Sequence, residues 1–170
     1  MYIHQQFEVK LIKVKVLLTG AAGFIGYHLS KALIEKDCKI LGIDSYSDYY
    51  DPKLKKDRIN QLKPFSNFKF KRLDITNKED IYNEFKLFKP EIVVNLAAQP
   101  GVRHSLNNPY AYLNSNLVGF MNIIEACRQY NIEGLIYASS SSVYGGNNKI
   151  PFDIKDRVNK PLSLYGATKR

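Results

Sequence analysis

The segment Thr19-Gly20-Ala21-Ala22-Gly23-Phe24-Ile25-Gly26 constrains this chain more than any other, because it joins an apolar strand pattern to an amphipathic helix pattern. Upstream, Val14, Val16, Leu17 and Leu18 read as a buried β-strand, while Phe24, Ile25, Leu29, Leu33 and Ile34 recur downstream at helical spacing. Glycine at the junction permits a tight turn and lets backbone N–H groups approach a ligand closely. The dipole and free N–H groups of the next helix N-terminus favour an anion there, such as the pyrophosphate of a dinucleotide. The spacing is Gly-x-x-Gly-x-x-Gly, not the commoner Gly-x-Gly-x-x-Gly, and a glycine triplet alone often marks a mere turn. The flanking strand and helix therefore carry much of the inference.

Short apolar runs alternate with longer helix-like stretches along the rest of the chain, the signature of β-α-β units around a parallel sheet. Strands are expected over Val14 to Leu18, Lys39 to Ile43, Phe68 to Leu73, Glu91 to Leu96 and Gly134 to Ala138. Helices are expected over Phe24 to Lys36, Pro52 to Leu62, Lys78 to Phe88 and Tyr110 to Tyr130. In the last of these, Leu113, Leu117, Phe120, Ile124 and Cys127 space like a buried stripe. The fold class is α/β, a doubly wound parallel sheet of the Rossmann type, in one domain from residue 14 to 170 with residues 1–13 as an extension. Loops at the C-terminal ends of the strands are where such a sheet binds ligands. One of them, Tyr46 to Asp51, is aromatic and acidic and reads as a surface excursion.

No apolar stretch approaches the ~18 residues needed to cross a bilayer, so no membrane partner is expected. Cys38, Cys127 and the three histidines are scattered without metal-ligand spacing, which suggests a reduced, cytoplasmic protein without a metal site. Cys127, among Ile123, Ile124 and Ala126, reads as a buried structural thiol. The net charge of +9 includes a cluster at Lys53, Lys55, Lys56, Arg58 and Lys63. With acidic residues interspersed and no nucleic-acid-binding motif, the cluster reads as a solvated helix face rather than a nucleic-acid patch.

Two further features carry chemistry. Asp44 closes the second strand pattern where a carboxylate would accept hydrogen bonds from an adenosine ribose and oppose a 2′-phosphate, favouring NAD over NADP. In isolation it could equally be a turn residue. Tyr165 and Lys169 stand four residues apart, on one face if the segment is helical. A phenol ionises near pH 10, so one working as a base near neutrality needs roughly 4 kcal/mol of stabilisation, which a neighbouring ammonium supplies with the right sign. Alone, Tyr-x-x-x-Lys is common and carries no meaning.

Taken together, these residues resemble the extended short-chain dehydrogenase/reductase family, and within it the NAD-dependent nucleotide-sugar epimerases. The resemblance runs from Val14 onward. It implies that Gly20, Gly23, Phe24, Ile25 and Gly26 form the cofactor loop, Asp44 the ribose ligand, and Asp74 with Ile75 the adenine-edge contact. Leu96, Ala97 and Ala98 would lie under the cofactor, in a segment where the family more often has His than Asn95. Ser139 to Gly145 resembles the active-site strand end, with Ser140 and Ser142 competing as the hydroxyl that positions the reacting sugar oxygen. Sugar 4,6-dehydratases of the family carry Asp-Glu after the catalytic Thr, where this chain has Ser141-Ser142. Ser141 and Arg103 are candidates for substrate-side contact, although Arg103 could equally face solvent.

The stretches Asp48 to Asp51, Leu54 to Arg58, Gln99 to Arg103 and Ser139 to Gly145 are most similar to UDP-glucuronate 4-epimerases. That likeness implies C4 epimerisation of a UDP-sugar through a 4-keto intermediate, with Tyr165 as base and Lys169 lowering its pKa and binding the nicotinamide ribose. Another nucleotide-sugar oxidoreductase, a dehydratase or reductase, and a non-catalytic NAD-binding module remain as alternatives. Family members continue for roughly as long again, supplying the last strands, a substrate domain and a homodimer helix. The chain is thus expected to be the cofactor-binding N-terminal part, with little or no turnover by itself.

Overall fold

A computed structural model describes residues 13–170. The expected extension at residues 1–13 lies outside them except for Lys13. Five parallel strands form one sheet: β1 (Lys15–Thr19), β2 (Lys39–Asp44), β3 (Phe68–Arg72), β4 (Ile92–Asn95) and β5 (Gly134–Tyr137), in the order β3-β2-β1-β4-β5. The chain runs outward from β1 to β3, then returns to place β4 on the other side of β1. That reversal makes the topological switch point between β1 and β4, where an open α/β sheet leaves a crevice.

Successive strand residues point to opposite faces, and over β1, β2 and β4 both faces are covered. Val16, Leu18, Ile40 and Phe68 pack on one side with Ile34 of α1 (Phe24–Glu35) and Ile59 and Leu62 of α2 (Pro52–Leu62). On the other, Leu17, Leu41, Ile43 and Val93 pack with Ile81 and Phe85 of α3 (Lys78–Phe88). Strand and helix bounds agree with the sequence reading to within a residue or so. In α1, however, Phe24 and Ile25 are exposed and face the crevice, while Gly26, Ser30 and Ile34 form the buried stripe.

The stretch expected as one helix over Tyr110 to Tyr130 is broken. It comprises α5 (Pro109–Tyr112), a seven-residue π-helical segment (Leu113–Gly119) and α6 (Phe120–Gln129), preceded by the short α4 (His104–Asn107). The wider π-turn changes the register, so the inward residues are Tyr112, Asn116, Gly119, Ile123, Ala126 and Cys127. Leu113, Leu117 and Ile124, expected inside, are exposed, whereas Cys127 is buried as expected. After β5 come a 3-10 turn (Ser141–Tyr144) and α7 (Leu164–Thr168).

Candidate active site

The crevice above the C-terminal ends of β1, β2 and β4 is a cleft of about 1200 Å³. Its floor is the glycine turn. Gly20 has φ +71°, and a Cβ there would come within 2.8 Å of the Ala97 backbone nitrogen, so both conformation and packing demand glycine. Gly26 lets α1 press against the Gly20 carbonyl, which any side chain would prevent. The N-terminus of α1 has no side-chain cap, whereas Asp51 caps α2 and Asn77 caps α3. The amides of α1's first turn are thus left for an anion.

Asp44 braces this turn. Its Oδ2 accepts from the Ala22 amide at 3.1 Å and its Oδ1 from the Tyr46 amide at 2.8 Å. Each carboxylate oxygen keeps a second lone pair, so ribose hydroxyls can be bound without displacing either amide. Asp74, Ile75, Leu96, Ala97 and Ala98 line the same cleft. Below them the Thr19 hydroxyl donates to Asn95 Oδ1 at 2.6 Å and accepts from the Ala97 amide at 3.1 Å. Asn95 is therefore the buried partner that fixes the turn after β4.

Tyr165 and Lys169 both reach the cleft from the far side. Ser163 caps α7 by accepting from the Gly166 amide at 2.9 Å, and the Lys169 amide donates to the Tyr165 carbonyl at 3.1 Å, one helical turn. Burial pushes the Lys169 ammonium below the usual lysine pKa. Gly166 lets α7 approach the serine run, since a Cβ there would stand 2.7 Å from the Ser142 carbonyl oxygen.

Ala138 and Ser139 line the cleft, whereas Ser140, Ser141 and Ser142 are not among its lining residues. The Ser139 hydroxyl donates to the Lys169 carbonyl at 3.0 Å. Ser140 accepts from the Ser142 amide at 3.2 Å, capping the 3-10 turn. Arg103 is exposed at the start of α4 and does not line the cleft; its neighbour His104 does.

The basic cluster is not a uniformly solvated face. Lys53, Lys56 and Lys63 are exposed, but Lys55 is buried and Arg58 lines the cleft. Several positioning residues escaped sequence reasoning. Asn116 is buried and donates to Thr168 Oγ1 at 3.0 Å and to the Gln99 carbonyl at 3.1 Å, while accepting from the Gln99 amide at 2.7 Å. It joins the π-segment to α7 and to the loop after β4. Tyr112 is fully buried and donates from its hydroxyl toward the carbonyls of Pro100 and Gly101, with its ring 6.0 Å from that of Tyr165. The available signal was a polar residue at core-facing helical spacing, Tyr112 to Asn116, which the neighbouring leucines outweighed.

A glycine turn at the switch point, a carboxylate at the end of β2 and a Tyr–Lys turn facing the same cleft define a Rossmann-type dinucleotide-binding domain. The chain belongs to the NAD dependent epimerase/dehydratase family, which it matches over residues 16–170. It is 52% identical over 157 residues to Protein CapI of Staphylococcus aureus, covering 92% of this chain and 47% of that one. It is 44% identical over 158 residues to UDP-glucuronate 4-epimerase 4 of Arabidopsis thaliana, covering 92% of this chain and 36% of the relative. Among solved structures, the UDP-glucuronic acid 4-epimerase of Bacillus cereus in complex with UDP-glucuronic acid and NAD superimposes with a TM-score of 0.84 at 36% identity. That match covers 92% of this chain and 49% of the other. The chain thus spans about half or less of the length of these relatives.

Proposed function

We propose that the protein carrying these residues interconverts the C4 epimers of a UDP-sugar, UDP-glucuronate and UDP-galacturonate, with NAD held in the glycine-lined cleft. The observation that carries this reading is the placement of Tyr165 and Lys169 on one turn, facing the same cleft as the glycine turn and Asp44. The similarity to UDP-glucuronate 4-epimerases supports the substrate. So does the serine pair Ser141-Ser142, where related dehydratases carry acidic residues.

The residues fit the cofactor. The turn from Gly20 to Gly26 accepts the pyrophosphate at the uncapped end of α1, and Asp44 takes the adenosine ribose. Asp74 and Ile75 take the adenine edge, and Leu96 to Ala98 the underside. Bound NAD supplies a hydride acceptor and then a donor for C4 of the sugar, ending the cycle as it began. Tyr165, as phenolate, takes the proton of the 4′-hydroxyl and later returns it. Lys169 stabilises that phenolate and binds the nicotinamide ribose. Ser140 or Ser142, set beside the cleft rather than in its lining, is assigned the reacting oxygen by the family resemblance, Ser142 from the turn that Gly166 keeps close to α7. The free thiols Cys38 and Cys127 support a reducing, cytoplasmic setting.

Calorimetric titration with NAD and NADP tests the cofactor half, with NAD expected to bind and NADP to bind more weakly. Binding of neither would refute it. In protein that turns over UDP-glucuronate, Tyr165→Phe should abolish epimerisation and leave NAD bound; undiminished epimerisation would sink the assignment.

A further inference from the structure

The segment from Ser45 to Asp51 runs over the surface, exposed from Ser47 to Asp51, but it borders the cleft on its inner side. Ser47, Asp48, Tyr49 and Tyr50 all line the cleft. Tyr46 stacks on Phe70 and the Ser45 carbonyl accepts from Arg72 at the β3 end, and further contacts come from Tyr49 and from α2. The Tyr49 ring lies against His104 with centroids 5.1 Å apart. Its hydroxyl rests on Gly101, where a Cβ would come within 2.8 Å of the phenolic oxygen. Gly101 has φ +95°, so glycine is required there by conformation as well as by this approach.

Two more contacts come from α2. Lys55 Nζ donates to both the carbonyl and the hydroxyl of Ser47 at 2.8 Å, and Lys55 is only 5% exposed. Arg58 Nη1 donates to the Tyr50 hydroxyl at 3.1 Å and to the Ala22 carbonyl of the glycine turn at 3.2 Å. A buried ammonium is costly unless it is hydrogen-bonded, and these bonds are what order the segment. The segment leaves β2 on one side of the cleft and reaches the loop after β4 on the other. It therefore connects the two walls between which a dinucleotide would lie.

We propose that Ser45 to Asp51 is a strap across the bound dinucleotide, latched by Tyr49 on His104 and Gly101, which must lift for the cofactor to enter or leave. This rests on the reading of the cleft as a dinucleotide site. A catalyst whose cofactor finishes each turnover unchanged has no need to release it, and a latched strap keeps it in place between turnovers. Tyr49 is a positioning residue: it holds the strap and touches no reacting atom.

Stopped-flow binding of NADH to the full chain, followed by nicotinamide fluorescence, separates a latch from an ordinary contact. Tyr49→Ala should raise the association and dissociation rates together, each about tenfold, with Kd changed by less than about threefold. Tyr49→Phe keeps the ring on His104 and should stay close to wild type. His104→Ala removes the platform while leaving the strap intact, and should reproduce the effect of Tyr49→Ala. Faster dissociation with unchanged association would make Tyr49 a ligand contact and overturn the proposal, as would unchanged rates in both alanine variants. Failure of the wild-type chain to bind NADH would overturn the dinucleotide reading itself, and the strap with it.

Discussion

The two walls of the cleft are held by different kinds of force. On the β1–β2 side, Val16, Leu17, Leu18, Ile40, Leu41 and Ile43 are all buried, and helices cover both faces of the sheet. On the β5 side, Ile136 and Tyr137 of the strand are 60% and 53% exposed, and Tyr110, Leu117 and Met121 on the adjoining helical stretch are exposed too. What positions Tyr165 there is a set of directional bonds: Asn116 to Thr168 and Gln99, Ser139 to Lys169, and Tyr112 to Pro100 and Gly101. Burial is non-directional and tolerates small shifts, whereas a buried hydrogen-bond network specifies one geometry. Within this chain, which spans about half or less of its relatives' length, the wall that would hold the cofactor is packed on both faces of the sheet, whereas the wall that carries the tyrosine lies at the sheet edge and is joined by hydrogen bonds.

Substitutions can break or sharpen that contrast. Gly26→Ala forces a methyl group against the Gly20 carbonyl, a backbone-on-backbone conflict that no rotamer relieves. It should lower unfolding free energy by about 3 kcal/mol or more in urea titrations, and an unchanged midpoint would mean the turn can yield. Asn116→Leu supplies apolar volume but strands the Gln99 amide and carbonyl and cuts the tie to Thr168, and should cost about 2 kcal/mol. If the β5 side were held by packing instead, that variant would be neutral. Native-state hydrogen exchange should find β1 and β2 amides protected over β5 by about 1 kcal/mol or more, and equal protection would erase the contrast.

The smallest effect is chemical. Burial pushes the Cys127 thiol up to about 11, so below that pH it stays protonated and unreactive. Iodoacetamide at pH 8 should therefore label Cys38, which is only partly buried, and spare Cys127. Rapid labelling of Cys127 would show that α6 opens readily.

The same contrast explains what the sequence disclosed. The glycine turn, Asp44 and the Tyr165–Lys169 pair were legible because each is a short-range pattern with a strand or helix signature beside it. The π-segment was not, because apolar spacing over Leu113, Leu117 and Ile124 pointed to a buried stripe. The structure instead buries Asn116, with partners 17 and 52 residues away. Burial there follows from bonds that local periodicity does not encode. Lys55 and Arg58 misled for a related reason. Their charges suggest solvent, but the acceptors that draw them inward lie in the strap and the glycine turn. Arg103 is the converse: a cation one residue away from the His104 that lines the cleft.

Asp44 sets a limit on how this cleft could change its preference. One carboxylate shapes the turn through the Ala22 and Tyr46 amides and also lines the cleft, where it is proposed to take the adenosine ribose. Exchanging it for a small neutral residue, the simplest way to admit a 2′-phosphate, would release both amides together. A lineage starting from this chain could not alter its choice of dinucleotide at that position alone; the turn would have to be rebuilt in the same step.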